Sequence, residues 1–118
     1  MYGLPSTLDL SFLCGKTLLQ VCVGGADLIL NFDGDLSITV TSSLGWINAQ
    51  KAHNVYEDFS EAVSVVATLL NKSVVSARGN PSGTLTLEFV GDLTLELYDD
   101  SKQYESYVIK NGSDVIVV

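Results

Sequence analysis

The residues in this chain that could do chemistry fall into a few groups, and most of them lack partners at a useful spacing. Residues 44–57, LGWINAQKAHNVYE, hold the single Trp (Trp46), the single His (His53) and Tyr56. His53 could serve as a general base, but that role needs an orienting carboxylate and a nucleophile, and the spacing supplies neither. Trp46 reads as a plug beneath a loop or as an anchor in an interface, where Trp is enriched. The segment has no clear hydrophobic period, so it is expected to be a long functional loop. Asp33-Gly34-Asp35 begins like a calcium loop, but the ligand series stops and Leu36 resumes an apolar pattern, so turn chemistry explains it better. Cys14 and Cys22 form no CxxC pair and have no His/Cys cluster beside them. Cys22 falls on an outward strand phase without a flanking Lys or His, and Cys14 is expected to be buried. No phosphate-loop, dinucleotide, nucleophile-elbow or zinc-protease pattern occurs. The reading is therefore of a chain with no catalytic residue, no metal and no cofactor.

The remaining group is acidic and aromatic. Residues 88–105 carry Glu88, Asp92, Glu96, Asp99, Asp100 and Glu105 against Lys102 alone, with Tyr98, Tyr104 and Tyr107 interleaved through the same third of the chain. Acids and tyrosines on one surface suit capture of a basic protein. The competing reading is a solvated sheet rim. The whole chain agrees with an acidic surface: 14 acids and 6 bases in 118 residues leave a net charge of −8. That balance argues against nucleic acid and against anionic membranes, which need Lys/Arg clusters. It permits a basic partner, or simply solubility. Two unpaired thiols fit a reducing cytosol. The N-terminus has neither a basic start nor a long apolar run, so no leader or membrane span is expected and the localisation reads as cytoplasmic.

The elements that must position these groups come from a repeat. LILNFDGDLSITV at 28–40 returns as LTLEFVGDLTLEL at 85–97. Each copy alternates apolar and polar residues with a period of two on both sides of a Gly-Asp joint, which predicts a hairpin with one buried face. Upstream, KTLLQVCVGG aligns with KSVVSARGN, placing Leu19 and Val21 opposite Val75 and Ala77 on the inward phase. The repeat thus predicts two three-stranded antiparallel meanders, about 16–41 and 72–98. Between them, Asp58 and Glu61 form a capping box, and Ala62, Val63, Val66, Ala67 and Leu70 make a helical stripe, which predicts one helix over about 59–71 ending near Asn71. After the second meander, Asn111-Gly112 signals a C-terminal hairpin. The expected fold is a single α+β domain over 1–118, with a mainly antiparallel sheet of about eight strands packed on one helix.

GTLTLEFVGDLTLELYDDSKQYESYVI, residues 83–109, resembles small uncharacterised bacterial β-meander/helix domains whose Gly-x-Leu-x-Leu-x-Phe hairpin is followed by a Tyr-Glu-small-aromatic segment, here Tyr104-Glu105-Ser106-Tyr107. Such small acidic domains are similar to immunity proteins of polymorphic toxin systems. The resemblance implies a non-enzymatic, protein-binding bacterial protein that blocks a basic toxin domain by occlusion. Residues Trp46, Tyr98, Asp99, Asp100, Tyr104, Glu105 and Tyr107 are the expected partner-binding set. Two other readings stay open: a small-ligand protein or enzyme using the 44–57 loop, and a homo-oligomeric module that pairs exposed edge strands into a homodimer.

Overall fold

The computed structural model describes Leu4, residues 8–101 and residues 105–118. Among these residues the class is α+β, with ten strands in two five-stranded antiparallel sheets and one α-helix. The first half of the chain supplies β1 (Leu18–Val23), β2 (Leu28–Phe32), β3 (Leu36–Val40), β4 (Leu44–Ile47) and β5 (His53–Tyr56). Helix α1 (Phe59–Val66) follows, continued by a 3₁₀ turn at Ala67–Leu69. The second half supplies β6 (Val74–Gly79), β7 (Leu85–Phe89), β8 (Leu93–Leu97), β9 (Tyr107–Asn111) and β10 (Asp114–Val117). Both predicted meanders form. Each then pairs with the hairpin that follows the other meander, so the sheet orders are β1-β2-β3-β9-β10 and β5-β4-β8-β7-β6.

The two halves are related by a pseudo-two-fold axis that shows directly in the hydrogen bonds. Thr17 bridges Ser73, its own counterpart in the repeat, and their hydroxyls lie 3.0 Å apart. On either side, Leu18 N–H donates to Lys72 O at 3.1 Å and Val74 N–H donates to Lys16 O at 2.9 Å. Gly15 N–H reaches Val74 O while Asn71 N–H reaches Leu18 O, and Gly15 and Asn71 both hold positive φ at equivalent chain bends. A residue pairing with its own counterpart is what an isologous contact requires.

One core joins the two sheets. Leu28, Leu30, Ile38 and Val40 from one sheet and Leu85, Leu87, Leu95 and Leu97 from the other are wholly buried in a single cluster. The sheets therefore cover each other, and α1 packs at the edge strands β1 and β5. Asp58 caps α1 by accepting the N–H of Ser60. The buried stripe of the helix runs through Phe59, Ala62, Val66 and Leu69. Ala62 and Val66 of the expected stripe are buried and Val63 and Ala67 half-buried, but Leu69 takes the place expected for Leu70, because the last turn tightens to a 3₁₀ pitch.

Three local expectations need correction. The strand count is ten in two sheets, where about eight in one were expected, because residues 44–57 fold as the hairpin β4–β5. The turn explains why the pattern was unclear. Asn48 accepts from the N–H groups of Gln50 and Ala52, and Lys51 takes a φ of 67°. Asn80 builds the same five-residue loop before β7, but there the left-handed position is Gly83. Glycine advertises such a turn in sequence, whereas lysine conceals it. Next, Leu19 and Val75 are 55% and 60% exposed, not inward. A bulge in each strand, between Leu18 and Gln20 and between Val74 and Ser76, shifts the phase, so Leu18 and Val74 take the core positions. Finally, Cys14 is exposed at the chain bend beside Gly15.

Two measurements test this frame. Leu30→Ala and Leu87→Ala delete equivalent buried side chains, so each should cost about 2–5 kcal/mol in urea unfolding and the chain should unfold in one transition. Separate transitions for the two halves would contradict the exchanged pairing. Lys51→Gly should stabilise by up to about 1 kcal/mol, because it removes a left-handed side chain from a turn; a loss of stability there would refute the loop assignment.

Candidate functional site

At the far end of each meander the chain crosses from one sheet to the other. The first crossing, residues 41–43, follows β3, and the second lies between β8 and β9, where residues 98–101 and 105–106 are described. The described residues of the two crossings are laced together. Thr41 and Ser42 N–H groups donate to Ser106 O, and Tyr98 N–H donates to Ser43 O at 3.2 Å. The Ser42 hydroxyl donates to Tyr98 O, and Ser43 gives both its N–H and its hydroxyl to the Asp100 carboxylate. The Ser106 hydroxyl donates to Asp99 at 2.7 Å and accepts the N–H of Ser101 at 3.2 Å. Small hydroxyl side chains serve here because each can satisfy a neighbouring backbone group or carboxylate without bulk.

This lacing leaves a shallow groove of about 260 Å³, whose described lining is Thr41, Ser42, Ser43, Glu57, Asp100 and Ser101. Glu105 lies alongside, with its carbonyl accepting the Thr41 hydroxyl. Glu57, Asp100 and Glu105 are exposed, and no Lys or Arg occurs in the described lining. The groove offers acceptors and negative charge, which suit the ammonium or guanidinium of a partner.

The second constellation lies on the outer face of the β8 sheet. The Tyr98 hydroxyl donates to Glu96 Oε1 at 2.9 Å, and His53 Nε2 sits 3.1 Å from that hydroxyl and 3.3 Å from Glu96 Oε1. Gly45 on β4 makes this possible, because a Cβ there would collide with the Tyr98 hydroxyl and press on His53. Burial, reinforced by the hydrogen bond to Glu96 and its charge, pushes the Tyr98 phenol up to about 12. The three groups satisfy one another on an open sheet surface. Across the same face, Arg78 and Glu88 form an ion pair, and the Arg78 hydrogen bond holds the Glu88 carboxyl below its usual range.

Of the residues expected to bind a partner, the structure gathers Tyr98, Asp99, Asp100 and Glu105 at the crossings. Asp99 is turned into the second crossing by Ser106, and Asp100 and Glu105 face outward. Tyr104 lies outside the described residues. Two members belong to the core. Tyr107 is fully buried, donates to Gly83 O at 2.6 Å, and has its phenol raised further by desolvation. It occupies an inward position because it pairs with Val40. Trp46 is 6% exposed and pairs with Leu95 on the inward phase, so its ring fills core space rather than presenting an anchor. His53, by contrast, points outward from β5, so Trp46 and His53 lie on opposite faces of one sheet. Sequence reasoning missed Glu57 and the hydroxyl run Thr41-Ser42-Ser43. Three consecutive hydroxyl residues directly after an alternating strand were the available signal.

No protein-family model, curated protein or solved structure matches this chain.

The tyrosines give a measurable consequence. A phenol whose folded pKa exceeds the unfolded value of about 10 favours the native state below pH 10, and that contribution is lost as pH rises through about 12. Ultraviolet titration should therefore show delayed ionisation of Tyr98 and Tyr107, with stability falling above about pH 10. Tyr98→Phe should remove part of the delay. Ionisation of every tyrosine near its ordinary value in the folded protein would contradict both environments.

Proposed function

We propose that this chain is a non-enzymatic protein-binding domain that grips a basic element of a partner at the acidic crossing, most concretely an immunity-type inhibitor of bacterial, cytoplasmic origin acting by occlusion. The observation that supports this reading is a departure from the internal symmetry. The two crossings occupy equivalent places in the repeat, yet the first has three residues and the second nine. The longer crossing carries Asp99, Asp100 and Glu105, so the acids sit where one half departs in length from the other. A plain return to the next strand does not need that length. Surface charge spread only for solubility would not need to collect beside a groove.

The groove also fits the electrostatics of such a complex. Acid rims act mainly by steering a basic partner to the site, which raises the association rate and makes it sensitive to salt. The fixed Asp100 adds a directional acceptor, because Ser43 holds its carboxylate in place. The reading of 44–57 as a ligand loop loses its support, since Trp46 and His53 do not face a common space.

Isothermal titration against the product of the adjacent gene tests this function. Glu57→Lys combined with Glu105→Lys should weaken binding at least tenfold, about 1.4 kcal/mol, mostly through slower association at low salt. Unchanged affinity in the folded double variant would rule out the groove as the contact.

A further inference from the structure

The repeat provides an internal control for the two outer faces, because equivalent strands present equivalent positions to solvent. On the β6–β7–β8 sheet these positions hold Arg78, Glu88 and Glu96. Their counterparts on the β1–β2–β3 sheet are Cys22, Asn31 and Thr39. Every charge of that set is replaced by a neutral residue. Thr86 is matched by Ile29, and Gly45 in the exchanged hairpin is matched by Val108. The register sets Cys22, Ile29, Thr39, Val108 and Val117 in one row across five strands, and Val117 is 46% exposed. The neighbouring row ends on Val115, 56% exposed, and contains the one charged side chain of the two rows, Lys110. A protein of net charge −8 thus has one nearly neutral, partly apolar five-stranded face.

We propose that this face is an isologous contact with a second copy of the chain. Charge decides the occupant. A basic partner would gain from acids, and this face offers none in its two rows, whereas the crossing and the other sheet carry them. Two copies that each bear −8 repel over most of their surfaces, and they approach at least cost where neither presents acids. Stacking the faces across a two-fold axis would bury Ile29, Val108 and Val117 of both copies, the aligned packing used by two sheets in a sandwich.

Size sets the strength. Five strands about 4.8 Å apart, each about 17 Å long, make a face of about 400 Å² per copy. A contact of about 800 Å² in total falls below the usual range for a permanent dimer. The dimer is therefore a reversible one that forms with rising concentration. It is independent of the acidic crossing, so either could fail without the other.

Sedimentation of the intact chain from about 5 to 500 μM, following dissociation constants in the micromolar range, tests the proposal. The mass should rise from monomer toward dimer, and more so at about 500 mM than at about 50 mM salt, because salt screens the repulsion. Asn31→Glu with Thr39→Glu installs the residues that the other half carries at Glu88 and Glu96, so the fold should tolerate them; dimerisation should weaken at least tenfold with the thermal midpoint nearly kept. Val55→Glu on the opposite sheet serves as the control and should leave it unchanged. A monomer throughout the range would overturn the proposal and leave the face to a different protein. So would a dimer that salt weakens, or one that persists in the folded Asn31→Glu/Thr39→Glu variant. If that variant unfolds, Val117→Lys on the edge strand is expected to abolish the dimer, and a dimer that survives it would overturn the proposal equally.

Discussion

Each three-stranded meander has an apolar face that it cannot bury by itself, and the rest of the structure follows from how that face is covered. Leu28, Leu30 and Phe32 on β2 have Leu85, Leu87 and Phe89 on β7 as their counterparts, and all six enter one core. Burying a large aliphatic side chain contributes about 1.5–3 kcal/mol, so leaving either face wet would forfeit most of the stability of a domain this small. The two-fold pairing at Thr17 and Ser73 fixes the halves at one edge. The exchanged hairpins extend each sheet with strands from the other half. Helix α1 then closes an edge rather than roofing a sheet.

Much of this was legible in the residue pattern, for reasons that can be named. Period-two alternation through 28–40 and 85–97 marked four strands, because every inward position is Leu, Ile, Val or Phe and most outward ones are polar. Asp58 with Glu61 marked the helix start, and Asn71 marked the bend that follows it, where the chain takes positive φ. The hairpin at 44–57 was concealed because its outward residues include Gly45, Ile47 and Val55, while Asn54 falls on the inward phase, so no alternation survives. Its turn uses Lys51 where glycine would have drawn notice. The bulges at Leu19 and Val75 were also invisible, since a single extra residue changes no composition and only reverses the phase that follows.

The site was half legible. Charge counting located the acids of 88–105, but it could not separate those on the groove from those engaged elsewhere. Glu88 is committed to Arg78, Glu96 to Tyr98, and Asp99 to Ser106. Aromatic residues misled in a consistent way. Tyr107 and Trp46 have chemistry suited to an interface, yet strand phase puts both inside, and a hydroxyl buried with one carbonyl acceptor satisfies Tyr107 fully. Residue type proposes a role, and register decides whether the side chain can perform it. The same register, compared between halves, exposes where the repeats have diverged: length and acid at one crossing, and loss of charge across one sheet.

The exchange of hairpins also has a bearing on synthesis. Strand β3 lies between β2 and β9, so Leu36 finds its partner at Asn111 only after the second meander and β9 have left the ribosome. The first meander must emerge with its apolar side unmatched and wait for the strands of the second half. Contacts so distant along the chain slow folding and prolong exposure of sticky intermediates. A nascent chain of this design therefore has reason to depend on chaperone shelter until β9 and β10 have been made.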